Sequence, residues 1–175
     1  MTFIKNKNIL IFGKNSFIGT YLIKRLEKNN DLVFFEQKHN KININNFNKR
    51  KINLLLKNNN FDYIINFHAH TDINQSNIDS YYDFYHNCSI IHSIVESIIK
   101  NKCNSFFLNF GTATQIGFTD SKKKINNLYR GQPETIFDLH KQYNEDYISI
   151  KKKIHNFSAL TLRLCNIYGV GSTFS

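Results

Sequence analysis

Residues 8–19 read NILIFGKNSFIG. An unbroken apolar run, Ile9 to Phe12, meets a glycine, then a short polar turn, then a second glycine inside a new apolar-periodic stretch. A strand buried on both faces gives such a run, and glycine at its end permits a tight turn into a helix. Backbone N–H groups at that helix N-terminus form a cradle for a pyrophosphate, which glycine lets approach closely. The spacing is Gly13-x-x-Ser16-x-x-Gly19, with serine where dinucleotide sites usually carry a middle glycine. Ser16 is small enough to cap the helix, although its Cβ stands where phosphates approach. Alone, the turn is equally consistent with an ordinary β–α connection.

The same alternation recurs downstream. Strands are expected over 8–13, 31–36, 62–67, 105–110 and 159–165. Helices are expected over 16–28, 46–59, 80–100 and 134–154, with Ile52, Leu55 and Leu56 sharing one face of the second. Apolar strands alternating with helices imply a parallel sheet covered on both sides. Right-handed crossovers make it a doubly wound, Rossmann-type, three-layer α/β/α domain. Ligands in such sheets bind at the carboxyl ends of strands, which directs attention to 13–19, 36–39, 68–72, 111–117 and 166–169.

The chain has 175 residues, in keeping with a single domain of 1–175. A chain of that size buries roughly 70% of its unfolded surface and needs no disulfide or metal staple. No apolar run is long enough to span a membrane, and the N-terminus lacks signal-peptide order. Cys88, Cys103 and Cys165 are far apart and odd in number, which fits a reducing cytoplasm better than a disulfide framework. The formal net charge is +10. Asn, Lys, Ile, Phe and Tyr dominate, and all five have A/T-rich codons. Lys122–Lys124 and Lys151–Lys153 do not interleave with aromatics, so a solvated basic surface is favoured over a nucleic-acid site. His68 and His70 alternate as metal ligands can, but no third ligand follows at a useful spacing, and no metal is expected.

Five segments, in order, resemble the extended short-chain dehydrogenases/reductases, the NAD(P)-dependent epimerases, dehydratases and reductases of nucleotide sugars. ILIFGKNSFIG resembles the glycine motif. KININNF resembles the adenine-side motif, with Asn43 where Asp is usual. DYIINFHAHTD resembles the strand ending in a small, Ala-rich cofactor contact. TATQIG resembles the segment bearing the catalytic Ser/Thr, here Thr112. LRLCNIYGVG resembles the Arg-x-x-Asn-x-Tyr-Gly-Pro signature, with Val170 in place of Pro. The resemblance runs from about Asn8 to Gly171.

The resemblance implies a Tyr-x-x-x-Lys catalytic helix, and FDLHK (137–141) lies where it belongs, followed by Glu145. Phe137 stands where the tyrosine is expected. Tyr147 and Lys151 repeat the spacing. Yet only a dozen residues separate Lys151 from Arg163, too few for the rest of a helix, a turn and a strand. By resemblance the catalytic positions are Thr112, Phe137 and Lys141. Those expected at the cofactor are Gly13, Asn15, Ser16, Phe17, Ile18, Gly19, Glu36, Lys38, Asn43, Phe67, His68, Ala69, Lys141 and Asn166. Glu36 favours NAD and Lys38 favours NADP; the short link to the adenine-side motif resembles the 4-keto-6-deoxysugar reductase branch, and the cofactor expectation leans to NADP.

Phe137 preserves ring packing and removes the proton relay, a loss of ~10²–10⁴-fold in rate where a positioned acid/base is used. Another group (His140, Tyr129 or a water) carries the proton, or the chain is a weak relative, or the phenylalanine is an engineered substitution. The resemblance implies a smaller C-terminal substrate domain, which is expected to be absent here, so that the chain is either a fragment or a protein that no longer handles a whole nucleotide sugar. The expectation is therefore an oxidoreductase domain acting on a nucleotide-linked sugar at a 4-keto or 4-hydroxy position. The alternative is a dinucleotide-binding pseudoenzyme or regulatory partner; a basic RNA-associated protein is a third idea. A homodimer through the two long helices is expected, with Tyr81, Tyr82, Phe84 and Tyr85 as candidate contacts or plain core.

Overall fold

The computed structural model describes residues 4–35, 49–118, 124–126 and 129–171. Five strands form one sheet: β1 (Asn8–Phe12), β2 (Asp31–Phe35), β3 (Tyr63–Asn66), β4 (Phe106–Thr112) and β5 (Ala159–Leu164). All neighbouring pairs are parallel and the order is β2-β1-β3-β4-β5. The order reverses between β1 and β3, and a crevice opens at the carboxyl ends of strands at such a switch point.

Alternate side chains of each strand enter two separate cores. Leu10, Phe12, Ile64 and Phe107 pack with Ile52 and Leu56 of α2 (Lys49–Asn58), and with Ile90, Ile91, Ile94 and Ile98 of the helix Ile90–Lys100. Ile9, Ile11, Ile65 and Phe67 face the other way, against Ile18, Leu22, Ile23 and Leu26 on α1 (Phe17–Leu26). Each fully buried Ile or Phe contributes about 1.5–3 kcal/mol. The doubly wound, three-layer architecture is the one expected.

The region 73–100 departs from expectation. A short helix, α3 (Ile73–Ile78), precedes α4 (Ser80–Phe84). Asp72 caps α3 by accepting from Gln75 N–H, and Asp79 caps α4 by accepting from Tyr82 N–H. The expected continuous helix 80–100 is interrupted by a π-helical turn at Tyr85–Ser89 before α5 (Ile90–Lys100). A π turn inserts one residue and rotates the downstream helix. Here it buries Asn87, whose side-chain amide exchanges two hydrogen bonds with the His70 backbone, at 3.1 and 3.0 Å.

Helix α6 (Ile136–His155) closes the sheet at β5. Thr135 caps its start, three basic residues in its last turn favour the helix dipole, and Asn156 ends it in the left-handed conformation.

Candidate active site

The crevice at the β1/β3 switch point holds a cleft of about 390 Å³. Gly13, Lys14, Asn15 and Ser16 line one wall, and Phe67, His68, Ala69 and His70 line the other. Gly13 is required twice over. Its φ is +77°, and a Cβ there would lie 2.5 Å from the His68 backbone nitrogen. Gly19 sits inside the first turn of α1, where a Cβ would meet Ser16 Oγ at 2.6 Å and Gly13 O at 3.0 Å. The Ser16 hydroxyl folds back to accept from Gly19 N–H at 3.0 Å. Its side chain is thus committed to the cap, and the turn keeps a β-strand, tight turn and helix N-terminus despite the missing glycine. Helix-start amides lack intrahelical partners and can serve an anion.

Phe17 packs edge-on against Tyr21 and lines a second cleft with Asn15 and Lys24. Ile18 faces the core beneath α1. Asn166 is exposed beyond β5 and does not line the main cleft. Glu36, Lys38 and Asn43 lie outside the described residues. The cleft also takes in Phe35, Tyr82, His86 and Ile90, which sequence reasoning did not assign to it. Tyr82, expected at the dimer contact or in the core, packs against His86 with the rings tilted by 48° and centroids 4.3 Å apart.

The second group of residues gathers where β4 meets α6. Thr112 ends β4 and caps a 3₁₀ turn at Ala113–Ile116. Gln115 is fully buried: its Oε1 accepts from Thr112 N–H, and its Nε2 donates to Glu145 at 2.6 Å. Arg163 on β5 grips Glu145 through two bonds of 2.8 Å. Burial opposes ionisation of Glu145, but the hydrogen bonds from Arg163 and Gln115 prevail and hold the carboxyl below its ordinary value. A strut from β5 through α6 thereby fixes the backbone beside Thr112.

Phe137 and Lys141 are both buried on one face of α6. Lys141 Nζ donates to Phe110 O at 3.3 Å and lies 5.5 Å from the Phe137 ring centroid. Burial pushes its ammonium down to about 8, against the attraction of the Asp83 carboxylate. Tyr147 and Lys151 face elsewhere: both bond Glu96 on α5, at 2.6 and 2.5 Å, and Tyr147 stacks on His92. The 137/141 register is the one that reaches the end of β4.

Asp83 links the two groups. It is fully buried and accepts from Ser76 Oγ (2.6 Å), Asn87 Nδ2 (2.9 Å), His70 Nδ1 (3.1 Å) and His140 Nδ1 (2.6 Å). Burial works against its ionisation, and these four donors overcome that and hold the carboxyl low. His140 is thereby tied to α4, and its ring also packs edge-on against Phe84. Among the described residues no group of three His, Cys, Asp or Glu side chains is arranged to hold a metal.

The sequence profile of the NAD dependent epimerase/dehydratase family matches residues 9–175. The chain belongs to that family. Three solved structures illustrate the fold it shares. The dTDP-4-dehydrorhamnose reductase of Bacillus anthracis, in complex with NADP, has a TM-score of 0.79 at 17% identity, over 98% of this chain and 58% of that one. The Bordetella bronchiseptica enzyme WbmH, in complex with NAD⁺, has a TM-score of 0.77 at 21% identity, over 97% and 59%. The UDP-N-acetylglucosamine 4-epimerase of Methanobrevibacter ruminantium has 0.75 at 16%, over 91% and 55%. The chain thus spans a little over half the length of these structures. No curated protein matches it by sequence. Asp83 connects the cleft to α6, because it bonds His70 of the cleft lining and His140 of the helix. No helix among the described residues is long and apolar enough to cross a membrane.

Proposed function

We propose that this chain is the dinucleotide-binding domain of an oxidoreductase acting at a 4-keto or 4-hydroxy position of a nucleotide-linked sugar. The observation that carries this reading is the Gly13 turn. Its positive φ and the 2.5 Å approach of a would-be Cβ to His68 N leave room only for glycine, beside a helix start that can face an anion. Gly13, Asn15, Ser16, His68 and Ala69 would hold a nicotinamide dinucleotide there, and the lean is to NADP. When bound, that group supplies the hydride donor or acceptor.

The chain's own residues do the rest. Lys141, on α6 with its Nζ against Phe110 O of β4, presents a cation that can hydrogen-bond a ribose hydroxyl. Thr112 presents a hydroxyl to a substrate oxygen. The Arg163–Glu145–Gln115 strut keeps Thr112 in place as ligands come and go. The free cysteines among the described residues accord with a reducing compartment such as the cytoplasm.

A homodimer would cover the outer face of α6. Leu139, Tyr143, Ile150 and Ile154 fall in one stripe about 60° wide and are all exposed, beside exposed Tyr81 and Phe84. The occupant is a second copy of the chain, and the absence of charged side chains from this stripe supports it. A second reading is favoured by Phe137, which lacks the hydroxyl that would move a proton: a binding protein that holds the dinucleotide without turning it over. Calorimetric titration with NAD⁺, NADH, NADP⁺ and NADPH tests the common core of both. Micromolar affinity for one oxidised/reduced pair is expected; no binding of any of the four defeats the proposal.

A further inference from the structure

Phe137 leaves the site without a phenol, yet the next residue on α6 is a carboxylate wired to the strand end. Asp138 is 3% exposed. Its Oδ2 accepts from Thr135 Oγ1 at 2.7 Å, and its Oδ1 accepts from Thr114 Oγ1 at 2.5 Å. Thr114 Oγ1 lies in turn 2.9 Å from Thr112 Oγ1. A hydroxyl has one proton to donate. Thr114 gives its own to Asp138, so in the contact between the two threonines Thr112 must be the donor. Thr112 Oγ1 also accepts from Thr114 N–H at 3.3 Å, which leaves it one lone pair. Every proton along Thr112, Thr114 and Asp138 therefore points the same way, from the exposed strand end towards the buried carboxylate. Thr114 is itself exposed, so the chain of hydroxyls opens on the site.

We propose that Asp138, acting through the Thr114 and Thr112 hydroxyls, is the proton acceptor and donor that replaces the missing tyrosine oxygen. The inference rests on the oxidoreductase reading above. In the oxidising direction, the substrate C–H bond breaks and its hydride passes to an oxidised nicotinamide dinucleotide. The substrate O–H bond breaks as well, and its proton goes to Thr112 Oγ1. The Thr112 proton moves to Thr114, and the Thr114 proton to Asp138 Oδ1. The products are a carbonyl, a reduced dinucleotide and a protonated Asp138; reduction runs the same hops backwards. Thr112 touches the substrate oxygen and is the catalytic residue. Thr114 and Asp138 act through it and are positioning and relay residues. His140 does not offer the same path, because its Nδ1 is bound to Asp83 and its ring to Phe84.

The test uses the full chain as wild type, T114V, T114S, D138N, F137Y and the double variant F137Y/D138N. Dinucleotide affinity is read by calorimetry, and hydride transfer by reduced-nicotinamide absorbance with UDP-glucose and UDP-N-acetylglucosamine as probes. The Asp138 carboxyl resonance, in carbon-13 aspartate-labelled protein without cofactor, is assigned by its loss in D138N. The relay expects dinucleotide affinity within about twofold throughout, and a ~10²–10⁴-fold loss of transfer in T114V and D138N. T114S should recover most of that loss, and D138N should cost less than about tenfold in the F137Y background, where a phenol supplies the proton. The Asp138 resonance should move in T114V and return in T114S. Wild-type rates in T114V or D138N overturn the relay, as does an unmoved resonance. Dinucleotide binding with no transfer in wild type or F137Y also overturns it and leaves the cofactor reading standing. No dinucleotide binding by any form overturns the reading beneath it instead.

Discussion

Replacing Lys141 with methionine should stabilise the domain in the absence of ligand. The Lys141 ammonium is buried, and its value falls from 10.5 to about 8 on folding. That difference, at about 1.36 kcal/mol per pH unit, means that folding sacrifices ~3 kcal/mol to keep the charge at neutral pH. The sign comes from linkage. Between about 8 and 10.5 the unfolded chain binds more protons at this site than the folded one, so stability rises with pH across that window. The burden is present in full below about 8 and is relieved above it. Methionine has similar length and no charge. Losing the 3.3 Å bond to Phe110 O offsets about 1 kcal/mol of the gain, because that carbonyl is then left short of a partner. K141M should therefore exceed wild type by ~2 kcal/mol at pH 7, or roughly 4–8 °C in Tm for a domain of this size. Near pH 10 only about 1 kcal/mol of the charge burden remains in wild type, so the advantage should vanish there. Urea melts of both proteins at pH 7 and pH 10 measure this directly. A K141M that is less stable at pH 7, or a gap that does not change between the two pH values, would refute the reasoning.

G13A should abolish dinucleotide binding in calorimetry and lose more than about 2 kcal/mol in melts, since alanine meets both a positive φ and the His68 backbone. D83N should flatten the acid limb of stability. The Asp83 carboxyl is held below its usual range in the fold, so its contribution is present above the unfolded value and lost as pH falls through the lowered one; urea melts between pH 3 and 6 read the slope. L139E with I154E should convert a dimer to a monomer in sedimentation, with the far-ultraviolet dichroism unchanged, because both side chains are exposed on the outer stripe of α6.

Much of the fold was legible because its strands are continuous apolar runs. Ile9–Phe12 and Tyr63–Ile65 cannot be solvated on either face, and the helices between them force parallel pairing. The end of each strand then pointed to Gly13, His68 and Thr112. The π turn escaped, because hydrophobic periodicity cannot register an inserted residue whose polar side chain is buried by hydrogen bonds to a distant loop, as Asn87 is to His70. Helix α3 escaped because its sequence is polar, although Asp72 and Asp79, seven residues apart, are both cap residues and were a usable sign. The Thr114–Asp138 contact joins residues 24 apart and the Gln115–Glu145 contact residues 30 apart; spacing within either segment carries no trace of them. Asp83 becomes a four-donor acceptor only in the fold, where Ser76 of α3, Asn87 of the π turn, His70 after β3 and His140 of α6 converge on it.

The two halves of the site bear differently on whether the domain is active or vestigial. Phe137 argues for lost chemistry, since a phenylalanine can pack and face the Lys141 ammonium but cannot move a proton. Lys141 argues the other way. A fold with no ligand to meet would be ~2 kcal/mol more stable with an apolar side chain there, and stability-lowering groups that persist in a core are found where function requires them. Asp138 adds to that side: it stands in the first turn of α6, where Thr135 accepts from its N–H at 3.1 Å, but its carboxylate also accepts from Thr114 Oγ1 outside the helix. D138A separates the two accounts without any substrate. If Asp138 serves only the helix start, the variant should lose about 1 kcal/mol and leave the environment of Thr112 untouched. If the hydroxyls are aligned by the carboxylate, the side-chain resonances of Thr112 and Thr114 should move together.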